Sequence, residues 1–260
     1  MEILLLDDLI PAAKEWLQAQ HSVQYQPQWA NDPSALRKGA YKANAMLLPR
    51  QVVVNREFLD FAPKLQVIAR LHSGSDNTDL EACRERDVRV MQPTHATIRS
   101  TAEFLLGSLL LLYRRGVVNA IGGAQQGTAV IGRELAGSTV GLLGLSPTAH
   151  TLAALLNALG AQVIGYDPAI HRSSELWQRL RVEPVALAEL VGRADGVSVQ
   201  MLYASRFQGF IGAKLLGACK KGQLWVSTSR SSLFDAQALA AALSDGRIEA
   251  CLIDGAEAGF

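Results

Sequence analysis

The sequence has 260 residues, of which 49% are apolar and 19% charged, and its formal net charge is +1. This composition is typical of a globular chain long enough for two domains, and it excludes a disordered protein. The absence of any block of like charges argues against a surface that binds nucleic acid or an anionic membrane. Neither a disulfide framework nor a metal site is indicated by the spacing of the cysteines, Cys83, Cys219 and Cys251.

The N-terminal stretch MEILLLDDLI has no basic region, and two aspartates interrupt its apolar run, so it predicts a strand rather than a signal peptide. The most apolar segment, Phe104–Tyr113, is shorter than the roughly 20 residues that span a bilayer. We therefore expect a cytoplasmic protein without a membrane or nucleic-acid partner.

In the first hundred residues, short apolar runs alternate with amphipathic stretches, which predicts βαβ units around a mostly parallel sheet. The apolar runs predict strands at Ile3–Leu6, Val23–Tyr25, Ala45–Leu48, Leu65–Ala69 and Val88–Met91. The amphipathic stretches predict helices at Pro11–Gln20, Pro33–Lys38, Arg56–Phe61 and Asp79–Arg86. Two of these helices begin with proline, which is favoured at the first helical position because no N–H is lost there.

A long helix with few polar positions is predicted at Thr101–Arg115. A helix this apolar should be buried on most sides, either between domains or in a subunit interface. The Gly- and Gln-rich segment 122–132 has neither helical nor strand periodicity and is interpreted as a linker. Two segments of the chain meet in this region, and we assign one domain to residues 1–98 and a second to residues 99–260.

The second half repeats the alternation. Strands are predicted at Thr139–Leu143, Gln162–Tyr166, Val197–Met201, Leu224–Thr228 and Ala250–Ile253. Helices are predicted at Pro147–Leu159, Leu187–Gly192, Ala213–Cys219 and Asp235–Ser244. The strands are continuously apolar rather than alternating, which indicates a sheet covered on both faces.

The turn TVGLLGLSPTAH is the most informative local feature. A dinucleotide-binding turn has the pattern G-x-G-x-x-G and opens a helix whose N-terminal amides receive the pyrophosphate. Here Gly144 takes the first place, Ser146 the second and Ala149 the third. Ala149 is small enough for its place, whereas Ser146 adds a side chain where the backbone must approach the pyrophosphate closely.

The start of the following helix is nevertheless well specified, because Ser146 is a good N-cap and Pro147 a good first helical residue, followed by Thr148. The next strand ends in Asp167, about 20 residues on, where an acid holds the ribose hydroxyls and favours NAD over NADP. Two interpretations stay open here: a nicotinamide cofactor site, or a serine-capped helix in a doubly wound sheet that binds no nucleotide.

Longer motifs resemble the D-isomer-specific 2-hydroxyacid dehydrogenase family. LQVIARLHSGSDNTDL is similar to that family's L-K-V-I-A-R-x-G-x-G-x-D-N-I-D-L, and TAEFLLGSLLLLYRR to its long interdomain helix. GRELAGSTVGLLGL resembles the family's lead into the cofactor turn. FIGAKLLGACKKGQLWVSTSRSS resembles L-I-G-x-x-x-L-x-x-M-K-x-G-A-x-L-V-N-T-A-R-G-G, and DGRIEACLIDGAEAGF resembles x-G-x-I-x-G-A-A-L-D-V-F-x-x-E-P. The resemblance extends from about Leu65 to the end of the sequence.

The resemblance implies an α/β fold with two doubly wound parallel-sheet domains, a flavodoxin-like substrate domain and a Rossmann-type NAD-binding domain. It also implies a homodimer joined through the 101–115 helix and activity on a small 2-hydroxy or 2-keto acid. Arg230 matches the arginine that grips the substrate carboxylate, a role suited to a planar charged fork, although it can also be an ordinary strand-end arginine. The cofactor contacts implied are Gly144, Ser146, Pro147, Thr148, Asp167, Gln200, Met201, Leu202, Ser229 and Asp254.

Part of the family's catalytic equipment is not found. In the family, a glutamate five residues past the aspartate that matches Asp254 holds a catalytic histidine. Gly259 stands at that place here, and Glu257 is two residues short of it. The matching histidine belongs to a segment that this sequence does not contain, and hydride transfer to a keto acid needs such a proton donor.

His72 is the most suggestive histidine, because it falls with Ser73 and Gly74 in the loop where the family's backbone amides cradle the substrate carboxylate. It is either a relocated catalytic acid or a side chain that narrows this cradle. The same two interpretations apply to His95.

Three hypotheses follow. The first is an NAD-dependent oxidoreductase acting on a small 2-hydroxy or 2-keto acid, without a metal. The second is a catalytically inactive relative that serves as a regulatory, ligand-binding or partner subunit, as Ser146 and Gly259 suggest. The third is a truncated version of a longer enzyme, which would expose apolar surface. The motifs favour the first hypothesis as to the class of protein. The departures from the family pattern favour the second hypothesis as to whether the protein is catalytically active.

Overall fold

The computed structural model describes residues 1–71, 77–93, 96–119, 130–202, 205–257 and 260. The chain divides into two compact units, Met1–Ala96 and Thr97–Phe260. Within the ranges described, no helix combines the length and the apolar character that crossing a membrane requires. Most of the predicted linker at 122–132 lies outside these ranges.

The first unit is a five-stranded parallel sheet with the strand order β2-β1-β3-β4-β5, which is the flavodoxin-like order. Its strands are β1 Glu2–Leu5, β2 Ser22–Tyr25, β3 Ala45–Leu47, β4 Val67–Ala69 and β5 Arg89–Met91. Its helices are α1 Pro11–Gln20, α2 Pro33–Lys42, α3 Arg56–Asp60 and α4 Leu80–Glu85.

One helix of the first unit runs further than predicted. The sequence predicted an end at Lys38, but α2 continues to Lys42. Gly39 explains the difference, because a Cβ there would lie 2.7 Å from Cδ2 of Leu4 and 3.0 Å from the Trp29 ring. The glycine therefore permits close packing of the helix on β1 and does not end it.

The second unit is a six-stranded sheet with the order β11-β10-β9-β6-β7-β8 and parallel pairing throughout, which is the Rossmann order. Its strands are β6 Thr139–Leu143, β7 Gln162–Tyr166, β8 Glu183–Pro184, β9 Gly196–Val199, β10 Gln223–Ser227 and β11 Ile248–Ile253. Its helices are α5 Ile98–Tyr113, α6 Pro147–Ala158, α7 Glu175–Leu180, α8 Leu187–Arg193, α9 Ala213–Gly217 and α10 Ala236–Ser244. The predicted fold class is thus confirmed, although α7 and β8 were missed.

Both faces of the second sheet are covered, as the continuously apolar strands predicted. Leu142, Val226 and residues of α5 and α6 form the core on one face. Trp225, Val197 and residues of α8, α9 and α10 form the core on the other. Burial on both faces requires these strands to lack a polar side.

Helix α5 has one buried and one exposed face. Leu105 and Leu109 are buried, and the helix packs against α6 and β10. Phe104 and Leu111 on the opposite face are each 40% exposed. Among the residues that the structure describes, the helix is therefore covered on one side, and burial of its other side against a second domain or subunit stays a prediction.

Candidate functional site

The loops after β6, β7, β9, β10 and β11 lie at one edge of the second sheet, because its strands are parallel. The strand order reverses between the neighbours β6 and β9. Such a reversal opens a crevice outside the carboxyl ends of the strands, and nucleotides bind there in doubly wound sheets. The predicted residues in the loops at this edge are Gly144, Asp167, Gln200, Ser229, Arg230 and Asp254.

Gly144 lies directly on the loop that follows β9. Its φ is +93°, in the left-handed region that favours glycine. A Cβ at this position would stand 2.8 Å from the amide nitrogen of Met201 and 3.0 Å from the carbonyl carbon of Gln200. Since both neighbours are backbone atoms, only glycine fits, and the crevice floor between β6 and β9 depends on this residue.

Asp167 is tied to the same turn. Its Oδ2 accepts a hydrogen bond of 2.7 Å from the amide of Leu145, and its Oδ1 accepts one of 2.8 Å from the amide of Ala169. A carboxylate oxygen has two lone pairs, so each can accept one more donor such as a ribose hydroxyl. The side chain of Asp167 is thus held at the end of β7 and keeps lone pairs that can accept ribose hydroxyls.

Ser146 caps helix α6, as predicted. Its Oγ accepts a hydrogen bond of 3.4 Å from the amide of Ala149, and Pro147 is the first helical residue, followed by Thr148. The hydroxyl therefore turns back toward its own helix. The sequence did not indicate the role of His150, whose Nε2 lies 3.1 Å from the carbonyl oxygen of Leu145 and so supports the turn.

Gln200 carries an unsatisfied polar atom at this edge. The side chain is buried, and its Nε2 donates to Oγ of Ser198. Its Oε1 has no hydrogen-bond partner among the residues that the structure describes. Buried polar atoms are nearly always paired, so a donor at this place would complete the site. Together with the Gly144 turn and Asp167, this shows that the residues present fit a dinucleotide.

Ser229 joins two loops of the crevice, because its Oγ donates a hydrogen bond of 2.8 Å to the carbonyl oxygen of Met201. Leu202, next to Met201, is exposed. Asp254 is exposed as well, and its amide donates to the carbonyl oxygen of Ser227 at 2.9 Å. The structure thus brings these predicted residues to one edge, while their contacts to a cofactor stay predictions.

Arg230 is bound by an acid that the sequence did not assign to it. Its Nε donates a hydrogen bond of 2.7 Å to Oε1 of Glu257, and its Nη2 donates to the same oxygen. Partial burial alone would raise the pKa of Glu257, but the hydrogen bonds from Arg230 and Ser232 outweigh it and hold that pKa below its ordinary value. Glu257 is therefore an ionised partner of Arg230.

Several predicted residues lie outside the described ranges: His72, Ser73, Gly74, His95 and Gly259. Their roles stay predictions. In the part of the chain that is described, no group of three or more His, Cys, Asp or Glu side chains is placed to hold a metal ion.

Known proteins resemble this chain in sequence. The family model "D-isomer specific 2-hydroxyacid dehydrogenase, NAD binding domain" matches residues 108–258. (S)-Sulfolactate dehydrogenase of Chromohalobacter salexigens is 30% identical over 257 residues, which are 97% of this chain and 82% of that protein. D-3-Phosphoglycerate dehydrogenase of Mycobacterium tuberculosis is 32% identical over 258 residues, 97% of this chain and 48% of that protein. The chain thus spans about half the length of the latter relative.

Solved structures agree with the fold. The TT0316 protein of Thermus thermophilus superimposes with a TM-score of 0.83 at 25% identity, over 100% of this chain and 85% of that one. D-Mandelate dehydrogenase of Rhodotorula graminis shares the fold with a TM-score of 0.83 at 24% identity, over 99% and 82%. The chain therefore belongs to the D-isomer specific 2-hydroxyacid dehydrogenase family.

Proposed function

We propose that the chain is an oxidoreductase that transfers a hydride between a nicotinamide dinucleotide and a small 2-hydroxy or 2-keto acid. The observation that carries the proposal is the junction at the β6–β9 crevice, where the Gly144 turn packs on the loop after β9 and Asp167 binds the turn. Family membership supports it. The names of the relatives, sulfolactate and phosphoglycerate dehydrogenases, support a small hydroxy acid as substrate.

The chain's own residues have distinct parts in this proposal. The N-terminal amides of α6 receive the pyrophosphate, and Asp167 accepts the ribose hydroxyls. The carboxylate of Asp167 disfavours a 2′-phosphate, so we propose NAD rather than NADP. When bound, the nicotinamide ring supplies or accepts the hydride.

The substrate contacts complete the proposal. Arg230 binds the substrate carboxylate through its guanidinium fork. His72, Ser73 and Gly74 are proposed to cradle the same group, with His72 as a candidate proton donor. In this proposal residues 1–98 form the substrate-binding domain, and residues 99–260 form the NAD-binding domain that also contributes Arg230.

The proposal is tested by steady-state assays with NADH and a panel of keto acids. We expect turnover of at least one acid and its collapse in Arg230→Ala. If turnover is the same in Arg230→Ala as in the wild type, Arg230 does not bind the substrate carboxylate. A protein that binds NADH but reduces no acid would be the inactive relative.

We further propose that two copies of the chain pair through α5 and the residues just after it. Phe104 and Leu111 lie seven residues apart on α5 and are each 40% exposed, and Val118, which follows the helix, is 54% exposed. Exposed large apolar side chains close together are typical of a protein interface. Sedimentation should show a dimer that Leu111→Lys converts to a monomer; a wild-type monomer would contradict this pairing.

A cytoplasmic location is also part of the proposal. The three cysteines, Cys83, Cys219 and Cys251, are free thiols in the structure. Free thiols are usual where the compartment is reducing. Fractionation of the source cells should place the protein with the cytoplasmic markers, and its recovery elsewhere would contradict this assignment.

A further inference from the structure

Three departures from the family pattern meet in one hydrogen-bonded cluster. Where the resembling motif reads A-R-G-G, this chain has Arg230 followed by Ser231 and Ser232. Both serines contact Glu257, which stands two residues before the place of the family's glutamate. The departures are therefore connected in space and not independent.

The cluster holds Glu257 from two sides. The amide of Glu257 donates to Oγ of Ser231 at 2.9 Å, and the amide of Ser232 donates to Oε2 of Glu257 at 3.2 Å. Oγ of Ser231 lies 3.4 Å from the same Oε2. Glycine has no side chain, so the family's sequence at residue 231 could not form the first of these bonds. The serines thus direct the remaining oxygen, Oε1, to Arg230.

Phe260, three residues after Glu257 in the sequence, also contacts this part of the fold. The amide of Phe260 donates to the carbonyl oxygen of Glu257 at 3.1 Å. The Phe260 ring meets Phe234 edge to face, with the ring centroids 6.5 Å apart, and Phe234 directly follows the short turn Ser231–Leu233. Both ends of the Arg230–Glu257 contact are thereby anchored to the same part of the fold.

We propose that Glu257, held by Ser231 and Ser232, is an internal carboxylate ligand of Arg230 that the substrate carboxylate must displace. The inference rests on the proposed function, in which Arg230 binds that carboxylate. Glu257 already takes the Nε–Nη2 edge of the guanidinium and neutralises its charge. An incoming acid therefore competes with a carboxylate of the same charge and shape, and binds more weakly than it would to an unopposed arginine.

The test is calorimetric titration with oxamate, an unreactive analogue of a 2-keto acid, with and without NADH. In Glu257→Gln the charge of the competitor is lost while its size is kept. We expect the Kd for oxamate to fall about fivefold, which corresponds to a partly exposed ion pair. Ser231→Ala should lower it about twofold, because only one support is removed. In assays, Glu257→Gln should lower KM for the keto acid about fivefold and leave kcat unchanged.

Glu249→Gln is the matched control. Glu249 lies in the same unit and also pairs with arginines, at 2.7 Å from Nε of Arg115 and 3.4 Å from Nη2 of Arg133. Its side chain is 27% exposed, close to the 32% of Glu257. Because it belongs to no predicted contact with the substrate, the Kd for oxamate should stay as in the wild type.

The outcomes separate this inference from the proposed function. An unchanged or higher Kd in Glu257→Gln, with binding lost in Arg230→Gln, would overturn the inference and leave Arg230 as the substrate anchor. Failure of oxamate to bind any variant, Glu257→Gln included, would overturn the role of Arg230 in the proposed function itself. A lower Kd in both Glu257→Gln and Glu249→Gln would show a general charge effect and would also overturn the inference.

Discussion

The amide of Leu145 donates a hydrogen bond of 2.7 Å to Oδ2 of Asp167, and this bond joins the glycine turn after β6 to the end of β7. In the proposed function Asp167 accepts the adenosine ribose hydroxyls and the turn faces the pyrophosphate. The bond would then couple the recognition of these two neighbouring parts of the cofactor.

Asp167→Asn tests the role of charge at this junction. The amide oxygen can keep one backbone hydrogen bond, but the negative charge that repels a 2′-phosphate is lost. We expect the ratio of the Kd for NADPH to that for NADH to fall by about tenfold or more. Fluorescence titration with both cofactors measures this ratio. A ratio equal to that of the wild type would show that Asp167 does not determine the preference.

Gly144→Ala should disturb both stability and cofactor binding. The new Cβ would lie 2.8 Å from the Met201 amide nitrogen, and φ is +93°. We expect a loss of about 1–3 kcal/mol in the free energy of unfolding, measured with urea, and loss of NADH binding.

Gly246→Ala is the control for Gly144→Ala. Its φ is +73°, but no heavy atom lies within 4 Å of the added Cβ. We expect only the smaller cost of the left-handed conformation, about 1 kcal/mol, with NADH binding intact. Equal losses in the two variants would mean that contact with the loop after β9 contributes nothing.

Ser146→Gly restores the family's residue in the turn. Because Oγ of Ser146 is turned toward the amide of Ala149, we expect the hydroxyl to leave room for the pyrophosphate at the other N-terminal amides of α6. We expect the Kd for NADH to change by less than about twofold, and stability to fall by a few tenths of a kcal/mol, about the cost of a glycine cap. A tenfold gain in affinity would show instead that Ser146 obstructs the site.

Asp195 should make stability depend on acid pH. It accepts the amide of Thr139 at 2.9 Å and pairs with Nζ of Lys220. Burial alone would raise the pKa of Asp195, but these partners outweigh it and lower the pKa. A depressed pKa stabilises the fold above the unfolded value of about 3.9, and this contribution is lost as the pH falls through the folded pKa.

Urea unfolding of the wild type and Asp195→Asn between pH 3 and pH 7 measures this contribution. Near neutral pH the wild type should be more stable than Asp195→Asn, and this difference should shrink as the pH falls below about 4. A constant difference across the range would show that the Asp195 charge contributes nothing.

The sheets were predictable because apolar runs mark their strands. Parallel strands also need long crossover connections, which are usually helices. The prediction missed helix α7, Glu175–Leu180, and strand β8, Glu183–Pro184. The two residues of β8 are too few for a periodic pattern. The predicted helix ended at Lys38, before Gly39, whereas Gly39 is a point of close packing that the local sequence cannot show.

In the candidate site, too, the features set by local sequence were predictable and the contacts between distant residues were not. The Gly144 turn and Asp167 were predictable because the chemistry of the turn is local and the strand spacing is regular. The contact of Arg230 with Glu257 joins residues 27 apart and depends on the path of the loop after β11. Counting along the family motif showed that the family's glutamate is absent at residue 259. It could not show which residue Glu257 would contact.

The proposed function requires that this chain bind a nicotinamide dinucleotide at the β6–β9 crevice, and titration of the purified protein with NADH and NADPH measures this binding. We expect saturable NADH binding at or below about 1 mM, weaker NADPH binding, and loss of NADH binding in Asp167→Ala. Fluorescence of the bound nicotinamide reports the binding. A wild-type protein that saturates with neither cofactor in this range would exclude a dinucleotide site at this crevice.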